Sequence, residues 1–282
     1  MAAVSIAQIK ELREATNAGM GACKEALIAT EGNMDEAIKY LREKGLAVQA
    51  KRVDKESKQG IIGMAAAEDN SVLALAEINC ETDFVANTDG FKDFVKKAAG
   101  VALEGKDIAE TLDDEYKMLL MKTGENVKIR RTERYVLEGT GVLSGYIHMG
   151  GKIGVLLELS CGKAETAAAK EVADLAHMIC LHIAANSPKY TCPSQIPQEE
   201  IDAELEIKLN ALKEQKGKLP PEQALVGIKN GMAAKFASQI CLLKQGYVAD
   251  DKQTVEAVIA DVAKNLGDEI KVARFVRLQL GA

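Results

Sequence analysis

Two stretches of this chain spell nearly the same strand. Ser71-Val-Leu-Ala-Leu-Ala-Glu-Ile-Asn-Cys80 resembles Ile153-Gly-Val-Leu-Leu-Glu-Leu-Ser-Cys161, with Glu77 matching Glu158 and Cys80 matching Cys161. Such self-similarity constrains the fold strongly, because each copy must build the same small unit and bury the same face. A glycine-bounded strand precedes each copy: Gly60-Ile61-Ile62-Gly63 before the first and Val142-Leu143-Ser144-Gly145-Tyr146 before the second. A helical pattern follows each copy. In the second, Val172, Leu175, Ile179 and Ile183 share one stripe, and the pattern ends at Asn186 before Pro188. The expectation is an α+β fold whose core is a pair of duplicated β-β-α subdomains, over 60–140 and 141–197.

The flanking segments read as helical modules. In the head, 1–50, Ser5 and Gln8 have capping-box spacing, and Ile6, Ile9 and Leu12 lie on one helical face. Asn17-Ala18-Gly19 ends that helix, and a second carries Cys23, Ala26 and Leu27 up to Gly32. A third opens with Asn33 and Glu36, places Met34, Ala37, Ile38 and Leu41 on a stripe, and is expected to stop at Gly45. The basic stretch within 51–59 reads as a linker. Residues 198–245 read as a protruding antiparallel helical hairpin, with Ile201, Leu205, Leu209 and Leu212 facing Leu225, Ile228, Met232 and Phe236 across a Gly217, Pro220-Pro221 turn. A C-terminal module, 246–282, combines a helix with a strand that is expected to dock elsewhere.

Composition narrows the function. A net charge of -6 argues against a chain whose main task is gripping nucleic acid, and a protein partner fits better. The six cysteines form no C-x-x-C pair, and no charged and apolar leader opens the chain, so reduced thiols in a cytoplasm are expected. No window approaches the roughly 18 uninterrupted apolar residues that a membrane span needs. Neither membrane nor direct nucleic-acid binding is therefore expected.

Enzyme signatures are missing. The chain has no G-x-x-x-x-G-K-S/T phosphate loop, no strand-to-helix G-x-G-x-x-G, no G-x-S-x-G elbow and no H-E-x-x-H. His177, Cys180 and His182 lack the i, i+4 spacing that aims two ligands from one helical face, so no metal and no cofactor is expected. His148 falls in what reads as a loop-like junction between strands. An enzyme reading would need His148, His182 and Cys161 to share a cleft.

Two polar peptides stand out instead. In Asn79-Cys80-Glu81-Thr82-Asp83-Phe84-Val85-Ala86-Asn87, Thr82 or Asp83 caps the next helix while Phe84 either fills the core or stands exposed as a wedge. Pattern alone leaves both readings open. Gly124-Glu125-Asn126-Val127-Lys128-Ile129-Arg130-Arg131 is either a solvated face or one wall of a protein-binding site.

Taken in order, these blocks resemble the bacterial-type translation elongation factor Ts family over essentially the whole chain. They are Ile9-Lys-Glu-Leu-Arg-Glu-Ala-Thr-Asn-Ala-Gly-Met20 with Cys23-Lys-Glu-Ala-Leu27, Cys80-Glu-Thr-Asp-Phe-Val-Ala86, Gly124-Glu-Asn-Val-Lys-Ile-Arg-Arg131, Tyr146-Ile147-His148, His182-Ile-Ala-Ala185 and Val272-Ala-Arg-Phe-Val-Arg277. The resemblance implies a guanine nucleotide exchange factor for elongation factor Tu, met both GDP-bound and nucleotide-free, with no bond chemistry of its own. It implies that Thr82, Asp83, Phe84 and Val85 insert near the partner's magnesium and nucleotide site, with Met20, Ile129 and His148 as further contacts. It leaves open a homodimer or a heterotetramer with elongation factor Tu. A competing reading is a ubiquitin-associated-like or nascent-chain-binding adaptor, because the three-helix head with its Gly19-Met20-Gly21 loop suits that class too.

Overall fold

The computed structural model describes residues 4–16, 18–50, 54–217 and 220–282. The chain divides into two compact units. The first comprises Met1–Val136, Ile147–Gly154 and Leu278–Ala282, and the second Leu137–Tyr146 and Val155–Arg277.

The first unit begins with α1 (Ile6–Thr16), α2 (Met20–Ala29) and α3 (Met34–Ala50). The capping box at α1 is reciprocal: Ser5 N–H donates to Gln8 Oε1 at 3.0 Å, and Gln8 N–H donates to Ser5 Oγ at 3.2 Å. Asn33 Oδ1 accepts from Glu36 N–H at 3.2 Å at the start of α3. Ile9, Leu12, Cys23, Ala26, Leu27, Ala37 and Leu41 form the head's buried core. The expected stop at Gly45 is not there, since α3 continues through it to Ala50. A Cβ at Gly45 would lie 3.1 Å from Met121 Cβ on α7 (Asp113–Thr123). The glycine therefore permits close helix packing rather than ending a helix, and from sequence the two uses look the same. Arg42 Nη1 fastens the same pair of helices through Asp114 Oδ1 at 2.6 Å.

The basic segment leads into β1 (Gln59–Ala66), while Lys51, Arg52 and Val53 lie outside the described residues. Antiparallel β1, β2 (Val72–Cys80) and β3 (Lys128–Val136) form a three-stranded sheet with β2 in the centre. From Leu73 to Cys80 β2 is buried continuously, the polar Glu77 and Asn79 included. Between β2 and β3 come α4 (Asp83–Ala86), α5 (Asp89–Leu103), α6 (Ile108–Thr111) and α7. Helix α5 lays Phe91, Phe94, Val95, Ala98 and Ala99 into the core shared with Ala74, Ala76 and Ile78. Gly63 lets it come near, since a Cβ there would lie 2.6 Å from Val95 Cγ1.

Most of the second copy of this scheme lies in the second unit. Strands β4 (Gly141–His148), β5 (Ile153–Cys161) and β8 (Ile270–Gln279) form a sheet in the order β4-β5-β8, so the C-terminal strand docks beside β5. The repeat is thus β-β-α with a third strand added, a pairing across the hairpin that local spacing does not show. After β5 come α8 (Ala164–Ala167) and α9 (Lys170–Asn186), whose Val172, Leu175, Ile179 and Ile183 are buried as their spacing predicts. Helices α10 (Gln198–Lys216) and α11 (Glu222–Ile240) form the hairpin, based on a cluster of Ile196, Phe236, Ala237 and Cys241. A short pair, β6 (Gly246–Tyr247) and β7 (Asp250–Thr254), then leads into α12 (Val255–Leu266).

Candidate functional site

Where β2 ends, the chain is pinned before it exposes anything. Cys80 is buried and its thiol donates to the Thr82 carbonyl at 3.1 Å. Burial, with a further push from the Glu125 carboxylate, raises that thiol to about 12, so it stays protonated as a donor. Thr82 holds extended backbone and caps α4, its Oγ1 accepting from Val85 N–H at 3.3 Å. Ala86 is buried, and Val85 packs against the core formed by α5 and the sheet. One helical turn with its cap and inner face fixed must present Asp83 and Phe84 outward. Phe84 is 83% exposed, the largest exposure among the large hydrophobic side chains described. Of the two sequence readings for Phe84, core filler is excluded, while the cap reading holds for Thr82.

The second polar peptide closes on the first. Glu125 Oε2 accepts from Glu81 N–H at 3.0 Å and Thr82 N–H at 3.1 Å, while Oε1 accepts from the Thr82 hydroxyl at 2.6 Å. In return Glu81 Oε1 accepts from Asn126 N–H at 2.7 Å. Asn126 is buried, its Nδ2 donating to Lys55 O at 2.8 Å and its carbonyl accepting from Ser57 Oγ at 2.7 Å. Gly124, at φ 62, ends α7 in the left-handed region and turns the chain toward this contact. Sequence reasoning had singled out both peptides but not their union.

The paired arginines are used inside the unit rather than as an open wall. Arg131 Nε lies 2.6 Å from Glu77 Oε2, Arg130 Nη1 lies 2.9 Å from Oε1, and Gly281 N–H donates to Oε1 at 3.0 Å. Glu77 is wholly buried. Burial alone would raise its carboxyl, but the Gly281 amide and the two guanidinium groups together hold it below the usual range.

The other expected contacts are scattered over the first unit. Met20 opens α2 and is 46% exposed, beyond a Gly19 cap that supplies no side-chain bond. Ile129 sits on β3 opposite Ile78, half-buried and packed on the same core as Val85. His148 is the last residue of β4 rather than part of a loop, and its carbonyl accepts from Gly151 and Lys152 N–H at 3.2 and 3.1 Å. The turn beyond it runs through Met149, Gly150 and Gly151, all at positive φ.

The histidines and cysteines of the enzyme reading have other employment. His182 is buried, with Nε2 2.9 Å from Gln245 Oε1 and Nδ1 3.1 Å from Asn186 Nδ2. Burial lowers its pKa against the opposing Gln245 bond. His177 packs edge-on to Tyr146 with centroids 6.0 Å apart. Burial pushes Cys180 up to about 12, and burial plus the nearby Asp268 raises Cys161, which disfavours the reactive thiolate in both. Among the described residues no group of His, Cys, Asp or Glu is arranged to hold a metal, and no helix is long and apolar enough to cross a membrane.

Comparison with known proteins converges on one description. The family model for "Elongation factor TS" matches residues 81–282. A protein of Nitratiruptor sp. named elongation factor Ts is 41% identical, covering 99% of this chain and 93% of its own length. Proteins of the same name from Desulfovibrio desulfuricans and Symbiobacterium thermophilum are 38% and 39% identical, each covering 100% of this chain, and 100% and 93% of their own lengths.

Proposed function

This chain belongs to the elongation factor Ts family, and from that premise we propose that it is the guanine nucleotide exchange factor of elongation factor Tu. Its role lies in translation elongation. The observation that carries the finer reading is Phe84, held 83% exposed on a single turn whose cap and inner face are fixed. An aromatic kept in water forgoes about 2 to 3 kcal/mol of burial, which becomes available when a partner covers it.

Linkage supplies the mechanism. A factor that binds the empty GTPase more tightly than the nucleotide-bound form must weaken nucleotide binding by the same ratio. GTPases hold their diphosphate through backbone amides, a lysine and a magnesium ion bridging phosphate and protein oxygens. In this proposal Phe84 and Asp83 enter beside that magnesium, with Thr82 and Val85 as their base, and disturb the groups that support the metal. Phosphate charge is then poorly compensated and GDP leaves. No side chain of this protein need transfer a proton or form a bond. Met20 in the head (1–50), Ile129 in the first core subdomain (60–140) and His148 in the second (141–197) supply further grip. The linker (51–59), hairpin (198–245) and C-terminal module (246–282) complete that division of the chain, whose working place is the cytoplasm.

The test is release of fluorescent GDP from elongation factor Tu with and without this protein. Wild type should accelerate release strongly, and Phe84→Ala should lose on the order of tenfold or more, with Asp83→Ala losing less. No acceleration by wild type would remove the function for that partner. Full activity in Phe84→Ala would keep the function and remove the wedge.

The adaptor reading predicts binding through the head alone, which suits a separate module. Instead α3 lies close along α7 at Gly45 and Met121 and is latched by Arg42 and Asp114, so the head is part of the first unit. This favours exchange over independent capture by the head.

A further inference from the structure

We infer that Glu125 is a positioning residue for the wedge, fixing by three hydrogen bonds the angle at which Asp83 and Phe84 leave the end of β2. The inference rests on the exchange reading above. Glu125 comes from a turn 43 to 44 residues away in sequence, yet its carboxylate takes both backbone amides at the exit from β2 and the Thr82 hydroxyl.

The hydroxyl makes the arrangement directional. Its one proton goes to Glu125 Oε1 at 2.6 Å, which leaves its lone pairs for Val85 N–H at 3.3 Å. The carboxylate thus orients the cap, and the cap starts the turn that carries Phe84. The Glu81 side chain returns the contact by accepting from Asn126 N–H at 2.7 Å, so the two turns hold each other. Asn126 is fixed in turn to Lys55 O and Ser57 Oγ. A four-residue helix has little stability of its own, since helix nucleation is costly, and these contacts supply the order that its length cannot.

Geometry of this kind acts on rate more than on affinity. Loosening the clamp leaves the Phe84 ring itself intact and available, but spreads the wedge over many angles. Fewer encounters then reach the distorted state that releases nucleotide.

The experiment measures fluorescent GDP release from elongation factor Tu over a range of concentrations of this protein, separating the maximal rate from the half-saturating concentration. Glu125→Gln keeps the side-chain length, but its amide nitrogen cannot accept, so part of the clamp is lost. It should lower the maximal rate about tenfold and move half-saturation by less than about twofold. Thr82→Val should act in the same direction, and Thr82→Ser, which keeps the hydroxyl, should restore most of the rate. It also serves if Glu125→Gln does not fold. Combined with Phe84→Ala, Glu125→Gln should cost nothing further, because a clamp without a wedge has nothing to aim. Backbone amides of residues 81–86 should exchange faster with solvent in Glu125→Gln.

Asp268→Asn provides the control, since Asp268 accepts from Lys163 N–H at 2.8 Å at the equivalent turn after β5. It should leave the maximal rate unchanged. A wild-type rate in folded Glu125→Gln, an equal fall in Asp268→Asn, or a change confined to half-saturation would each overturn the inference. A slow Phe84→Ala beside a normal Glu125→Gln removes the clamp alone. A normal Phe84→Ala removes the wedge, and the clamp inference falls with it.

Discussion

The two repeats are built alike to a depth that strand patterning does not reveal. In each, the central strand buries one glutamate that is met by arginine from the third strand: Glu77 by Arg130 and Arg131, and Glu158 by Arg274 at 2.7 Å. In each, an acidic side chain just before the third strand accepts from a backbone amide after the central strand, Glu125 in the first and Asp268 in the second. One turn of helix follows, then a long helix. The difference lies in that single turn. Thr82 caps it by its side chain and Phe84 stands out from it, whereas Lys163 supplies no side-chain cap and Glu165 occupies the position of Phe84. A shared frame solves the packing problem twice, and one copy has received an aromatic. Under the proposed function, the exchange role is a small edit on a duplicated scaffold.

The largest effect that sharpens this comparison is on stability. Glu77→Ala strips the carboxylate from two arginines and the Gly281 amide and should cost about 3 to 5 kcal/mol by denaturant unfolding. Glu158→Ala, which takes one carboxylate from Arg274 and the acceptor from the Glu138 amide but leaves Arg274 its Glu138 carboxylate at 3.3 Å, should cost less. Equal costs would mean that the second arginine and the Gly281 amide add nothing.

Next comes the turn itself. Phe84→Ala should slow stimulated GDP release on the order of tenfold or more, while Glu165→Ala should leave it within about twofold. Comparable losses would mean that both turns work as wedges, and the asymmetry drawn above would vanish.

A smaller effect separates the caps. Thr82→Ala should lower stability by about 1 kcal/mol, against less than about 0.5 kcal/mol for Lys163→Ala, read from unfolding midpoints. The reverse order would place the cap in the wrong repeat.

The smallest effect is in acid. Hydrogen bonding to Thr166, outweighing burial, holds the Asp268 carboxyl below its usual 3.8. A depressed carboxyl contributes stability that is complete above the unfolded value and is lost as pH falls through the folded one. Asp268→Asn should therefore flatten the pH dependence of stability below 3.8 and leave it unchanged at neutral pH. An unchanged acid limb would deny Asp268 a part in holding its turn.

Much of the frame was legible in sequence because it obeys local periods. The strands β2 and β5, the stripe on α9 and both arms of the hairpin follow from spacing alone. What was not legible depends on distant partners. Glu125 shows no periodicity, and its role exists only because folding brings Thr82 beside it. Arg130 and Arg131 read as a surface charge run because their partner, the buried Glu77, lies 53 and 54 residues away in a largely apolar strand. Gly45 misled because a glycine at the end of an apolar stripe serves equally to stop a helix or to admit a neighbour. The site peptide is legible as a cap, whereas pattern alone leaves the exposure of Phe84 open, since that depends on Val85 and Ala86 taking the inward positions.

The third strand of each sheet sets a timetable for folding on the ribosome. The first sheet is complete once Val136 has emerged, with Arg131 following its glutamate by 54 residues. The second cannot close until β8 is made, and Arg274 follows Glu158 by 116 residues, with the whole hairpin translated in between. During that interval β5 carries an open hydrogen-bonding edge and an acid without its arginine, the condition in which nascent chains are most exposed to mispairing. The sheet of the copy bearing Phe84 can thus close early, while that of its twin waits for β8.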